Sequence, residues 1–230
     1  MLKGARLLIV IGVVLAACGP TGTVVDGGVW TEGETCPHVF FVGARGTDQD
    51  PGIGPQMEDL YSQFLGLLRP VEDIEVGIVA LDYPAARGDF GDSAAYEASV
   101  LAGRHELSLA LDRFASECPS ARIVVAGFSQ GAHVVAISDL GAVAAVVLLA
   151  SPVFDPTDAT EKSGSFSPDQ EGVIDPVALE GDQAERTIQV CLSGDPVCQA
   201  GSIAFWIHSN GYYNEALHPA AQFAADQITP

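Results

Sequence analysis

The sequence predicts an α/β fold in which a mostly parallel sheet is covered by helices on both faces. Two observations predict it. Five short apolar runs rich in β-branched residues recur at 39–42, 76–81, 123–126, 145–149 and 187–190, each of a length suited to a fully buried strand. Helix-like stretches separate most of them, and strands alternating with helices are the pattern of parallel sheets.

The clearest helix spans 96–117, where Val100, Gly103, Leu107, Ala110, Leu111 and Phe114 recur at helical spacing and Pro119 stops it. A second follows Ser129, and a last one covers 219–228. Segment 155–186 breaks the alternation. It is long, polar and acidic, and reads as a surface loop beside the site.

The 230 residues contain no internal repeat and no linker beyond about residue 35, so residues 36–230 are expected to form one domain with a sizeable core. Residues 1–17 differ: Lys3 and Arg6 precede eleven apolar residues at 7–17. That is the pattern of an export signal, and it is too short to span a bilayer, which takes roughly 20 residues. Leu15-Ala16-Ala17-Cys18 resembles the bacterial lipobox, which implies lipid on Cys18, a flexible tether over 18–35 and membrane attachment of an exported protein, itself expected to be a monomer. The competing reading is that Cys18 leaves with a cleaved signal.

Five cysteines are an odd number for an exported chain. Giving Cys18 to lipid leaves Cys36, Cys118, Cys191 and Cys198. Removing Lys3 and Arg6 from the 10 basic residues leaves eight against 30 acidic ones, a net charge of −22. Such a chain repels phosphate backbones, which excludes nucleic acid as an expected partner.

Residues 127–131 read Gly-Phe-Ser-Gln-Gly, directly after one strand and before a helix. This is the Gly-x-Ser-x-Gly elbow in its expected context. A serine on so sharp a turn needs small residues two positions either side, and the helix start beyond it offers free N–H groups to a developing oxyanion. Serine also needs a neutral imidazole as base and a carboxylate to orient it. His38, His105 and His133 read as structural, whereas His208 and His218 lie after the last strand, where the order Ser, acid, His places the base. For the acid, Asp195 stands between Cys191 and Cys198, and Asp155 is the competitor. A disulfide joining Cys191 to Cys198 would hold Asp195 rigidly. It is expected to be exposed and worth about 2.5 kcal/mol, with a Cys36–Cys118 bridge worth about 4.5 kcal/mol. The metal-ligand spacings His-x-x-Glu-His and His-Glu-x-x-His do not occur, so neither a metal nor an organic cofactor is expected.

Taken together, these pieces resemble the cutinase family of small, lidless α/β-hydrolases. The likeness rests on the elbow, on the Cys-x6-Cys frame around Gly194-Asp195, on Ala44-Arg45-Gly46-Thr47 after the first strand, and on cysteines 36 and 118 preceding two strands. It implies a central five-stranded sheet with no large lid. It also implies Ser129 as nucleophile, Asp195 as acid, His208 as base, and the Thr47 and Gln130 amides as the oxyanion hole. The activity implied is hydrolysis of carboxylic esters through an acyl-enzyme, with aliphatic lipid or polyester-type substrates. The alternatives are acetyl esters of polysaccharides and a lipid-binding surface lipoprotein without turnover.

Overall fold

The computed structural model describes residues 25–31, 34–69, 74–88 and 93–229. The expected signal 1–17 and Cys18 lie outside the described residues. The sheet order is β1 (Val25–Val29), β3 (Glu75–Ala80), β2 (Val39–Ala44), β4 (Arg122–Phe128), β5 (Ala145–Leu149), β7 (Thr187–Val190), β6 (Glu161–Ser163), every pair parallel. Five strands match the apolar runs: β2 (Val39–Ala44), β3 (Glu75–Ala80), β4 (Arg122–Phe128), β5 (Ala145–Leu149) and β7 (Thr187–Val190).

The expected strand count of five is corrected to seven among the described residues. Edge strand β1 (Val25–Val29) falls within the stretch expected to be a tether, and edge strand β6 (Glu161–Ser163) falls within the segment expected to be a loop. Neither carries an apolar run of its own. Each is defined by backbone pairing to a neighbour, to β3 and β7 respectively, and an edge strand can be short and polar because only one side is paired.

Side chains alternate across β2. Val39 and Phe41 face the layer of α1 (Pro55–Leu68) and α6 (His218–Ile228), while Phe40 and Val42 face α2 (Ala94–Glu117) and α3 (Gln130–Ala136). Met57, Leu60, Phe64 and Leu68 of α1 recur at helical spacing and are fully buried. Burial of side chains this size contributes roughly 1.5–3 kcal/mol each. Leu107 and Phe114 anchor α2 on the opposite face. The Cys36–Cys118 disulfide ties the approach to β2 to the end of α2.

Segment 155–186 is more ordered than a surface loop. It contains β6 and helix α4 (Gly181–Glu185). Lys162 sits at its centre with its side chain 10% exposed, its ammonium donating to Asp158 Oδ1 at 2.5 Å and Thr160 Oγ1 at 3.1 Å. Gln189 of β7 donates to the same Asp158 carboxylate at 3.0 Å, which fastens the segment to the sheet.

The chain passes from β2 outward to β3 and then back across to β4. In parallel sheets the crevice where the order reverses, at the carboxyl ends, is where ligands bind. The loop after β2, the elbow after β4 and the loop after β7 all open onto that edge.

Candidate active site

Ser129 occupies the turn between β4 and α3 with φ 54° and ψ −116°, a conformation L-residues rarely adopt. Its amide donates to Leu149 O at 2.9 Å and its carbonyl accepts from the His133 amide at 3.1 Å, so the strain is held from both sides. A Cβ at Gly127 would lie 2.4 Å from the Gly131 carbonyl, and one at Gly131 would lie 2.0 Å from Ala44 O. The two elbow glycines are therefore required by backbone approach.

His208 Nε2 lies 3.0 Å from Ser129 Oγ, and His208 Nδ1 lies 3.0 and 3.1 Å from the two Asp195 oxygens. The Asp195 carboxylate is fully buried, and Oδ1 also accepts from the Val197 amide at 2.8 Å. The Cys191–Cys198 bridge encloses it. The Phe128 ring stacks on the His208 imidazole with centroids 4.9 Å apart, fixing the ring plane. The chain order Ser, acid, His thus becomes a continuous line of hydrogen bonds.

His208 lies in helix α5 (Phe205–Asn210), and one expectation about this region is corrected. The Cys191–Cys198 bridge is buried, whereas Cys36 of the longer bridge is exposed. The short bridge packs in one cluster with Phe154 and with Phe166 of the acidic segment.

The competing residues sit elsewhere. Asp155 bonds to the hydroxyl and amide of Thr157 at 2.7 and 2.8 Å. Burial pushes its carboxyl up, but these bonds outweigh that and hold it below the ordinary range. His218 is exposed at the first position of α6, and His105 is exposed on α2. His38 Nδ1 accepts from the Glu75 amide at 3.0 Å. His133 Nδ1 lies 3.0 Å from the Tyr96 hydroxyl, and burial lowers its pKa while raising that of Tyr96.

Thr47 and Ser129 line one cleft of ≈ 540 Å³ together with Gln56, Tyr96, Phe128 and Phe205. Gln130 opens α3 and its side chain is pinned, accepting from Ser99 Oγ at 3.0 Å and donating to Ala86 O at 2.9 Å. Two smaller grooves of ≈ 270 and ≈ 300 Å³ beside α2 contain none of Ser129, His208 and Asp195. Among the described residues no cluster of three or more His, Cys, Asp or Glu side chains could hold a metal ion.

Sequence reasoning missed Tyr212. It is fully buried, accepts from the Leu192 amide at 3.0 Å and donates to Asp195 Oδ2 at 2.7 Å. Burial, followed by the adjacent Asp195 charge, raises its pKa well above the ordinary tyrosine value, so it stays a donor. Nothing in the sequence around it marks that role.

Fold and site together define a serine hydrolase of the α/β type. More narrowly, the chain belongs to the cutinase family, since the family model described as Cutinase matches residues 35–228. It is 29% identical to Carboxylesterase Culp1 of Mycobacterium tuberculosis over 96% of each chain. It is 31% identical to Phospholipase Culp4 of the same organism, over 84% of this chain and 80% of that one. Among solved structures, the catalytic core domain of acetyl xylan esterase from Trichoderma reesei shares its fold, with TM-score 0.65 at 22% identity, over 84% of this chain and 98% of that one.

Proposed function

We propose that this chain is a carboxylic ester hydrolase acting on aliphatic, lipid or polyester-type esters through an acyl-enzyme on Ser129. The observation that carries the reading is the unbroken hydrogen-bonded line from Ser129 through His208 to buried Asp195 at the floor of an open cleft. His208 takes the Ser129 proton as Oγ attacks the ester carbonyl, and the Thr47 and Gln130 amides receive the negative charge on its oxygen. Collapse breaks the bond to the alcohol, which leaves with the proton from His208. Water, deprotonated by His208, then attacks the acyl-enzyme, and collapse returns Ser129 and frees the acid.

Exposed apolar residues beside the cleft support aliphatic substrates. Phe205 lines the cleft and is 67% exposed, and its chain neighbours Ile203 and Trp206 are 88% and 68% exposed. Exposed apolar groups gathered at one site mark contact with an apolar partner. The relatives named carboxylesterase and phospholipase favour the same bond type. Rates across p-nitrophenyl esters of increasing chain length, with acetylated xylan in parallel, test this. Preference for medium or longer acyl chains supports the reading; release of acetate from xylan without hydrolysis of longer esters contradicts it.

The same proposal includes export and attachment through lipid on Cys18, on the strength of the Leu-Ala-Ala-Cys motif behind the apolar run. Several acyl chains hold a protein to a bilayer far more firmly than one. Cys18→Ser is expected to move the protein from the membrane fraction to the soluble one. Wild-type protein found wholly soluble would contradict the anchor.

A further inference from the structure

The strand carrying the oxyanion loop and the helix carrying the base are far apart in sequence, yet two glutamines join them. Gln49 Oε1 accepts from the Gly46 amide at 2.7 Å, Gln49 Nε2 donates to Gln56 Oε1 at 2.7 Å, and Gln56 Nε2 donates to Ser209 O at 3.3 Å. Gln56 is 2% exposed although it lines the cleft. Ser209 follows His208 directly. The line therefore runs from the residue before Thr47 to the residue after His208.

The chemistry at the Thr47 end is specific. The Gly46 carbonyl and the Thr47 amide belong to one planar peptide, so fixing the direction of the first fixes the second. The Gly46 carbonyl accepts from the Gln49 amide at 3.2 Å. Gln49 thus holds both polar groups of Gly46, one through its backbone and one through its side chain. Gln49 is itself held, because Arg45 Nε donates to its carbonyl at 3.1 Å, and Arg45 is buried and tied to the Leu81 and Tyr83 carbonyls. Room for the Gln49 side chain depends on Gly54, at φ 86°, where a Cβ would meet Gln49 Oε1 at 2.4 Å.

At the other end α5 needs such a tether. None of its residues is buried, and Phe205 and Trp206 face solvent. Its polar hold on the rest of the fold includes His208 on Asp195 and Ser129, the Ala204 amide on Gly194 O at 3.2 Å, and the Gln56 bond, with the Phe128 ring stacked on His208.

We infer that Gln49 and Gln56 form a bridge that sets the position of the Thr47 amide against the His208 ring, which makes both glutamines positioning residues for ester hydrolysis. The inference rests on the function proposed above. Neither side chain touches the reacting atoms, so the bridge acts on how well the oxyanion site and base are aligned together, not on substrate affinity.

Gln56→Met and Gln49→Met keep length and volume while deleting the bridge, and Gln56→Glu keeps the acceptor towards Gln49 while losing the donor towards Ser209. Each variant is expected to lower kcat about tenfold with KM within about twofold, as for groups acting only in the transition state. The rate of fluorophosphonate labelling should fall in parallel, and the thermal midpoint should stay within a few degrees. The double variant Gln49→Met, Gln56→Met should be no worse than the poorer single one, because one bridge can be broken only once. Unchanged kcat in both Gln56 variants, losses that multiply in the double variant, or a loss confined to KM would overturn the bridge. An inactive wild-type protein would instead contradict the proposed function, so the two failures are distinct.

Discussion

The Tyr212 hydroxyl donates to Asp195 Oδ2 at 2.7 Å while accepting from the Leu192 amide at 3.0 Å, and this fixes the direction of its proton. The donor satisfies a carboxylate oxygen already in contact with His208 Nδ1 and so locks the carboxylate plane. Tyr212→Phe leaves the Leu192 amide without that partner, at a cost of roughly 1–3 kcal/mol in stability. Because Asp195 gains rotational freedom, kcat should fall about tenfold with KM little changed. Steady-state kinetics beside thermal unfolding check both; unchanged kcat would show that the disulfide and the Val197 amide orient Asp195 by themselves.

Thr47→Pro deletes the amide proton assigned to the oxyanion. Turnover should drop roughly 10²–10³-fold, the scale for one such donor. Thr47→Ala keeps the amide and should lose much less. Equal losses in the two variants would place the contribution on the Thr47 hydroxyl.

Burial sets the order of disulfide reduction. Cys36 is exposed, whereas Cys191 and Cys198 are both fully buried in one cluster with Phe154 and with Phe166 of the acidic segment. Mild reductant without denaturant should open Cys36–Cys118 first, costing up to about 4.5 kcal/mol of stability while leaving kcat near wild type. Alkylation and mass mapping against residual activity follow this. Early loss of Cys191–Cys198 together with activity would contradict it.

The two C-terminal histidines separate by position. His218→Ala alters an exposed residue at the start of α6 and should keep most activity, whereas His208→Ala removes the only imidazole within hydrogen-bond distance of Ser129 among the described residues. Turnover of the second variant should fall by three or more orders of magnitude, as for loss of a triad member. The reverse pattern would move the base to His218.

What the sequence made legible follows from what each element owes to itself. Strands β2, β4, β5 and β7 are buried within a parallel sheet, with β3 partly so, and they write that burial as apolar runs, while α2 writes its buried stripe at helical spacing. Helix α1 carries a readable signal too, with Pro55 at its start and Met57, Leu60, Phe64 and Leu68 on one face. Strands β1 and β6 owe their existence to the edges of β3 and β7. The candidates Ser129, Asp195 and His208 stood out because the elbow glycines and the cysteine frame are local constraints. Tyr212, Gln49 and Gln56 were not, since each matters through a partner that only the tertiary fold brings near.

The central claim is that Ser129 is the activated nucleophile. Stoichiometric labelling with a fluorophosphonate, read by intact mass and peptide mapping, tests it most directly, because only a serine with its proton drawn off by a base reacts readily. The account predicts one adduct per chain, on the peptide containing Ser129, and neither adduct nor ester hydrolysis in Ser129→Ala of unchanged thermal stability. An adduct on another residue, or Ser129→Ala activity within about tenfold of wild type, a loss far below that of a removed nucleophile, would contradict it.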